Sequence, residues 1–136
     1  MNKVKLARQK MIFWHKGQKR RGGKPYHIHP IQVVKLLGKV DADIICAGYL
    51  HDVLEDTNAT KQDLVKLFGV DITNLIIELT FPPNCADKQY WSQCKKLSDK
   101  AKLIKTADII ANINDEGVKS KHFIDKRIKA LRIMWL

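Results

Sequence analysis

The sequence has few cysteines, few prolines and no long apolar run. Its three cysteines form no C-x-x-C pair and leave one over, which argues against a disulfide framework and predicts a reduced, cytoplasmic protein. No apolar stretch approaches the roughly 18 residues of a membrane span. The apolar stretch near the basic N-terminus, residues 11–14, is too short for a signal peptide. Period-two alternation is also missing, so we expect no β-sheet.

Acidic residues are scarce relative to basic ones. The chain has 136 residues and a formal net charge of +11. The length fits one domain with a single core. The charge favours anionic partners, namely nucleic acid, an acidic membrane surface or a phosphorylated small molecule. Charge that serves only solubility is the alternative.

Apolar residues at helical spacing predict a single all-α domain over residues 1–136, with about seven or eight helices. The predicted helices cover residues 2–19, 31–37, a third segment capped by Asp41 or Asp43 that carries His51 and Asp52, then 61–68, 71–80, 87–97, 101–113 and 118–135. Thr60 and Asp63 form a plausible cap for the helix over 61–68.

The segment over residues 47–57 contains four side chains that can bind a metal ion or transfer a proton. In a helix, at about 100° per residue, its four polar groups span an arc of roughly 140°: His51, Asp52, Glu55 and Asp56. Gly48 falls on the same arc and is expected to leave open space above them. Three carboxylates in one turn need a cation, a charged partner or water. A helix end with solvated acids is the competing interpretation.

A basic loop over residues 16–30 combines five cations, flexible glycines, Tyr26 and the histidines His27 and His29. Arginines and helix N-termini suit phosphate oxygens. A solvated basic loop explains the composition equally well.

A third segment, residues 102–115, places Lys105, Asp108, Asn112 and Asp115 on one helical face beside Ile and Ala residues. These polar side chains are expected to face a polar cavity, with a buried hydrogen-bond network as the alternative. Two imidazoles and two carboxylates then come from three separate segments: His29, His51, Asp52 and Asp108. This mixed set suits a divalent ion such as Mn²⁺, Fe²⁺ or Zn²⁺. Glu55 and Asp56 could orient a water or carry its proton.

The motifs also resemble a known family when read in order. They are H-x-G-Q-x-R-x-G-G-x-P-Y-x-x-H-P, L-H-D-V-x-E-D-T, F-G, L-T and K-x-A-D-x-x-x-N, from about Ala7 to Asn112. This succession resembles the hydrolase domain of RelA/SpoT homologues, within the HD superfamily, and especially the small stand-alone alarmone hydrolases of the metazoan SpoT homologue type. The resemblance implies an all-helical HD fold and Mn²⁺-dependent hydrolysis of guanosine tetraphosphate or pentaphosphate to GDP or GTP plus pyrophosphate.

The resemblance also assigns roles. The metal ligands would be His29, His51, Asp52 and Asp108, and Glu55 and Asp56 would assist the attacking water. The residues that meet the nucleotide would be Arg20, Arg21, Tyr26, Lys105 and Asn112. Its partner would be a phosphorylated guanine nucleotide, with no membrane and no nucleic acid, and a homo-oligomer stays open. No synthetase domain follows, so synthesis is not expected.

The sequence departs from the family at Thr106, where Leu is usual, and at Ile110 and Ala111 before Asn112. The chain also ends soon after the last motif, where relatives often continue, so the far wall of the pocket is not defined by the resemblance. A broader HD nucleotide phosphohydrolase, including one that accepts NADPH, is the second hypothesis. A non-catalytic nucleotide-binding or nucleic-acid-binding module is the third.

Overall fold

The computed structural model describes residues 2–20, 22–115 and 119–136. Within these ranges it contains helices and no strand, apart from an isolated antiparallel bridge between Lys19 and Pro25. The helices are α1 (Lys3–Trp14), α2 (Ile28–Leu37), α3 (Ala42–Leu50), α4 (Val53–Asp56), α5 (Lys61–Phe68), α6 (Val70–Glu78), α7 (Asp87–Lys96), α8 (Asp99–Asn114) and α9 (Lys121–Trp135). The all-α prediction is confirmed. The described residues form nine helices where about seven or eight were predicted, because α4 is a separate helix of a single turn.

The most apolar helix, α3, lies at the centre of the fold and packs against α1, α2, α6 and α8. Side chains such as Leu50, Ile76 and Ile104 are fully buried around it. Burying an aliphatic side chain of this size contributes about 1.5–3 kcal/mol. The core therefore fixes the positions of α2, α3 and α8 relative to one another.

The prediction that one helix carries both His51 and Asp52 is wrong. Helix α3 ends at Leu50, and α4 begins at Val53, so the dipeptide forms the turn between them. The Gly48 carbonyl oxygen is the acceptor that a continuing helix would offer to the Asp52 N–H. It accepts a hydrogen bond from His51 Nδ1, at 2.8 Å. The side chain thus takes part in ending the helix.

Gly48 serves a different purpose from the one expected. A Cβ atom at this position would lie 2.9 Å from Leu37 Cδ1 and 3.4 Å from Val34 Cγ2, both on α2. The glycine therefore lets α2 approach α3 closely and leaves no open space above the polar groups. This approach brings the start of α2, with His29, next to the α3–α4 turn.

Several helix bounds differ from the sequence prediction. Helix α1 ends at Trp14 and not at residue 19, because Gly17 adopts φ 86° and the chain turns into the basic loop. Helix α2 begins three residues early, at Ile28, with Pro30 still in the first turn, where its missing N–H costs nothing. Val118, the predicted start of the last helix, lies outside the described residues, and α9 begins at Lys121.

The cap predicted at the start of α5 is present in the structure. Thr60 Oγ1 accepts a hydrogen bond from the Asp63 N–H at 3.1 Å, and the Asp63 carboxylate accepts one from the Thr60 N–H at 3.0 Å. This reciprocal pair is a capping box. It is confirmed because it depends only on residues three apart in the sequence.

Candidate metal centre and substrate cleft

A cleft of about 780 Å³ opens on one side of the bundle. Its floor is formed by the starts of α2 and α4, the α3–α4 turn and the inner face of α8. Its walls come from the basic loop, the segment over 79–85, α7 and α9. Every described site residue predicted from the sequence lines this cleft: Arg20, Tyr26, His29, His51, Asp52, Glu55, Asp56, Lys105, Asp108 and Asn112. Arg21 lies outside the described residues.

Four side chains converge on the floor. His29 comes from α2, His51 and Asp52 from the turn, and Asp108 from α8. His29 Nε2 lies 2.8 Å from Asp108 Oδ1, and His51 Nε2 lies 3.0 Å from Asp52 Oδ2 and 3.2 Å from Asp108 Oδ1. One ligand atom from each of the four lies within 4.8 Å of the others. The cluster could therefore hold a metal ion.

The tautomer of His51 tests whether a cation fits this cluster. Because a carbonyl oxygen only accepts, the contact with Gly48 requires a proton on His51 Nδ1. In the neutral ring, Nε2 then carries a lone pair that faces the oxygens of Asp52 and Asp108. Such an arrangement needs a positive charge between the atoms, either a proton or a metal ion. A backbone-tied Nδ1 with a free Nε2 is also how metal-binding histidines are commonly oriented.

The ionisation of the cluster agrees with this requirement. Burial disfavours the charged imidazole, yet the two carboxylates raise the pKa of His51 well above its usual range. Burial would raise the pKa of Asp52, but the charge of His51 outweighs it and lowers the pKa to about 2. For Asp108, burial is outweighed by Lys105 and by the two imidazoles, and the pKa falls well below its usual range. Both carboxylates are thus held ionised, as metal ligands must be.

A second layer of contacts orients the carboxylates. Lys105 Nζ lies 3.1 Å from Asp108 Oδ2, and Asn112 Nδ2 donates to Asp108 Oδ1 at 3.2 Å. The Tyr26 hydroxyl donates to Asp52 Oδ2. Asp108 is therefore held through both of its carboxylate oxygens, and Asp52 through the oxygen that faces His51.

Glu55 and Asp56 project from α4 beside the cluster. The Phe81 N–H donates to Glu55 Oε1 at 2.5 Å. The walls of the cleft desolvate this carboxyl group, although the residue as a whole is exposed, and raise its pKa to about 7. Partial desolvation, followed by the charge of Asp52, also raises the pKa of Asp56. Glu55 can therefore exchange a proton near neutral pH.

Arg20 is held against the end of α8. Its Nε atom donates to Asp115 Oδ2 at 2.9 Å and its NH2 group donates to Asn112 Oδ1 at 3.2 Å. The backbone of the loop is fixed as well, since the Arg20 N–H donates to the Lys24 carbonyl oxygen at 2.8 Å. The guanidinium is thus positioned at the cleft wall.

Sequence reasoning missed several residues of the site. His15 Nδ1 lies 2.8 Å from Gln18 Oε1, and Gln18 Nε2 donates to the Asp56 carbonyl oxygen at 2.5 Å, so this pair links the basic loop to α4. The H-x-G-Q motif was the available signal. Other cleft residues gave no local signal: Phe81, Cys85, Tyr90, Lys119, Phe123, Lys126 and Arg127.

All three cysteines are free thiols. Among the described helices, none combines the length and the apolar character that crossing a bilayer requires.

Comparison with known proteins agrees with this geometry. The fold is similar to the solved structure of a metazoan orthologue of SpoT that hydrolyses ppGpp, with a TM-score of 0.82 and 29% identity, over 98% of this chain and 84% of the other. A guanosine-3′,5′-bis(diphosphate) 3′-pyrophosphohydrolase of Xenopus tropicalis is 34% identical over 111 residues, which is 74% of this chain and 62% of that protein. One of Borreliella burgdorferi with the same enzyme name is 40% identical over 101 residues, which is 73% of this chain and 13% of that protein.

The chain thus spans less than two thirds of the length of either of these two relatives. The model of the HD domain matches residues 5–116, which include all four members of the buried His/Asp cluster. With this match over most of its length, and with the cluster assembled from α2, the α3–α4 turn and α8, the chain belongs to the HD domain family.

Proposed function

We propose that this chain hydrolyses the 3′-pyrophosphate of guanosine tetraphosphate or pentaphosphate, giving GDP or GTP and pyrophosphate, with Mn²⁺ as its metal. The observation that carries the proposal is the juxtaposition of a His/Asp cluster with Glu55 in a cleft lined by cations. The relatives named for this reaction support the choice of substrate.

The ion would be held by His29, His51, Asp52 and Asp108, whose mixed nitrogen and oxygen donors suit Mn²⁺ among the divalent metals. When bound, it would act as a Lewis acid toward a phosphoryl oxygen and lower the pKa of water. Lys105, Asn112 and Tyr26 keep the two carboxylates ionised and oriented toward that position.

Glu55 acts as the general base for the attacking water. A general base works best when its pKa is near the operating pH, and a value of about 7 meets this condition. The hydrogen bond from the Phe81 N–H fixes the carboxylate, and Asp56, one residue further on, assists in orienting the water.

Arg20, Arg21 and Lys105 offset the charge of the substrate, while Tyr26 and Asn112 line its binding site. Arg20 is preorganised by Asp115, so little side-chain entropy is lost when an anion binds. Part of the +11 charge therefore serves a small nucleotide, and nucleic acid is not a partner. We place the reaction in the cytoplasm, where free thiols such as those of Cys46, Cys85 and Cys94 stay reduced.

A product assay tests the proposal. Purified protein is incubated with Mn²⁺ and guanosine tetraphosphate, and GDP and pyrophosphate are separated by ion-exchange chromatography. Parallel reactions contain NADPH, GTP or duplex DNA. We expect GDP and pyrophosphate in equal amounts and much slower turnover of the other compounds. Faster release of phosphate from NADPH would favour a broader nucleotide phosphohydrolase, and DNA binding without any turnover would favour a binding module.

A further inference from the structure

The cleft wall formed by α7 and α9 carries cations that the reaction at the metal centre does not use. Lys126 and Arg127 of α9 both line the cleft, as does Tyr90 of α7. Helix α9 packs on α7 and α8 and contributes no side chain to the His/Asp cluster. A positive region is thus present in the same cleft but on a different element from the metal ligands.

The ion pairs of the cleft distinguish Arg127 from three other cations that line it. Lys105 is paired with Asp108, Arg20 with Asp115, and Lys126 with Asp87 at 3.4 Å. Arg127 has no carboxylate within 4 Å among the described residues. Its guanidinium carbon lies 3.5 Å from the centroid of the Phe123 ring, and its NH1 group donates to the Phe123 carbonyl oxygen at 3.2 Å. The guanidinium is therefore held in place, and no carboxylate in the described part of the chain pairs with its charge.

The hydroxyl of Tyr90 provides a second, independent observation. Tyr90 is only 6% exposed, and its hydroxyl has no hydrogen-bond partner among the described residues. Lys126 Nζ lies 4.5 Å and Lys105 Nζ 5.2 Å from the centroid of its ring. A buried hydroxyl without a partner is costly, at about 1–3 kcal/mol. A ligand oxygen that reached it would remove this cost.

We propose that Arg127, Lys126 and the Tyr90 hydroxyl form an anion subsite that binds the 5′-phosphate groups of the nucleotide. The proposal rests on the function proposed above, in which the 3′-pyrophosphate lies at the His/Asp cluster. The 3′ and 5′ substituents leave a ribose at separate carbons, so one nucleotide presents two phosphate groups that need two sites. The subsite selects nucleotides that carry phosphate at both positions.

Binding of guanosine 5′-diphosphate to the Mn²⁺-loaded protein tests the subsite directly. Titration calorimetry compares wild type with Arg127→Ala, Arg127→Lys and Tyr90→Phe, and with Lys129→Ala as a matched control. Lys129 carries the same charge on the same helix but is exposed and does not line the cleft. Charge-assisted contacts predict about 10- to 100-fold weaker binding for Arg127→Ala. Smaller losses are expected for Tyr90→Phe and Arg127→Lys, and none for Lys129→Ala.

Unmodified guanosine is the second probe, because an arginine can also stack on a base. If Arg127→Ala weakens guanosine as much as guanosine 5′-diphosphate, Arg127 is a base platform and the proposal is wrong. Unchanged binding of the diphosphate in Arg127→Ala also overturns it. Thermal unfolding of each variant shows that the fold is retained, and Tyr90→Phe removes a single oxygen if Arg127→Ala proves unstable.

A kinetic comparison separates this proposal from the proposed function. Guanosine 3′-pyrophosphates with and without a 5′-diphosphate are assayed with wild type and Arg127→Ala. We expect KM for the bis-substituted nucleotide to rise about 10-fold or more in the variant, with kcat nearly unchanged, and little change for the other compound. If wild type hydrolyses neither compound, the proposed function fails, and the calorimetric result alone decides the subsite.

Discussion

The floor of the cleft and its α7–α9 wall differ in how their polar groups are held. On the floor, His29, His51 and Asp108 are 1%, 2% and 7% exposed, and each contacts at least one other member of the cluster. On the wall, Lys126 and Arg127 are only partly buried, and their contacts are mainly with α7 and with their own helix. The His/Asp cluster of the floor is assembled from α2, the α3–α4 turn and α8, whereas both cations of the wall lie on α9.

Under the proposed function, this difference separates the chemistry at the floor from the choice of substrate at the wall. Removing a floor residue leaves buried charges without partners, which costs several kcal/mol. Removing a wall cation leaves a partly solvated site, so the change is confined to ligand binding. Substitutions on the floor should therefore alter metal content and stability, and substitutions on the wall should alter KM alone.

The largest effect is expected from His51→Ala. Without the imidazole, Asp52 and Asp108 lose the group that lies between them, and the proposed ion would lose a ligand. We expect metal content after dialysis against Mn²⁺ to fall by more than the 10- to 100-fold typical of losing an outer-shell partner, and turnover to be lost with it. Elemental analysis of the purified protein measures this, with the exposed His122→Ala as control. Full metal occupancy in His51→Ala would remove the residue from the ligand set.

Metal removal from the wild type should destabilise the fold by mass action. At a free metal concentration of 100 Kd, a ligand that binds only the native state contributes about 2.7 kcal/mol. A lower melting temperature in the presence of a chelator is therefore expected, and His51→Ala should show no such shift.

Glu55→Gln should give the next largest effect and confine it to the chemical step. The amide keeps an oxygen that can accept from the Phe81 N–H but cannot take a proton from water. We expect kcat to fall about 10²–10⁴-fold, with metal content and KM retained. Steady-state kinetics beside metal analysis test this. Loss of metal would make Glu55 a ligand, and a normal kcat would exclude it as the base.

Arg20→Ala tests the wall formed by the basic loop. Loss of a charge-assisted contact with phosphate should raise KM about 10- to 100-fold. Metal content should stay unchanged, because Arg20 contacts Asp115 and Asn112 and, among the described residues, bonds to none of the four proposed ligands. Lys16→Ala removes the same charge from an exposed position outside the cleft and is the matched control. A fall in metal content would contradict the separation of floor and wall.

Much of the fold was predictable because it follows from local pattern. The cap at Thr60 and Asp63 and the helices of the core need only residues a few positions apart. The break at His51 and Asp52 was not predictable in this way, since nothing in the apolar run around it disfavours a helix. It depends on the His51 contact with Gly48 and on Asp108, which is 56 residues beyond Asp52.

The residues of the α7–α9 wall could not be predicted from the sequence either. Helical periodicity predicts the last helix but not which of its cations face the cleft, because that depends on its packing against α7. Thr106 illustrates the point. Its departure from the family pattern had no local explanation, yet Thr106 Oγ1 accepts a hydrogen bond from Trp135 Nε1 at 2.8 Å and so ties α9 to α8.

The pH dependence of stability sharpens the comparison at Glu55. Its pKa is raised in the folded state, from 4.5 to about 7, so the folded protein binds the proton more tightly than the unfolded chain. The stability contributed by protonated Glu55 is complete below pH 4.5 and is lost as the pH rises through about 7. In metal-free protein, Glu55→Gln should therefore gain stability relative to wild type between pH 5 and pH 8. Urea unfolding at both pH values measures the difference, and a constant difference would contradict it.

The smallest effect is expected at His15, beneath the junction of floor and loop. Its ring is buried, its Nδ1–H donates to Gln18 Oε1, and its Nε2 has no partner among the described residues. Burial lowers its pKa below 6.5, because a proton on Nε2 would also be unsatisfied. The folded state thus binds this proton less tightly than the unfolded chain. The associated stability is present above pH 6.5 and is lost as the pH falls through the lowered pKa.

His15→Asn keeps a donor toward Gln18 but cannot titrate, so the variant should lose less stability than wild type between pH 7.5 and pH 5. Parallel urea titrations of the two proteins test this, and equal slopes with pH would show that folding does not lower the pKa of His15.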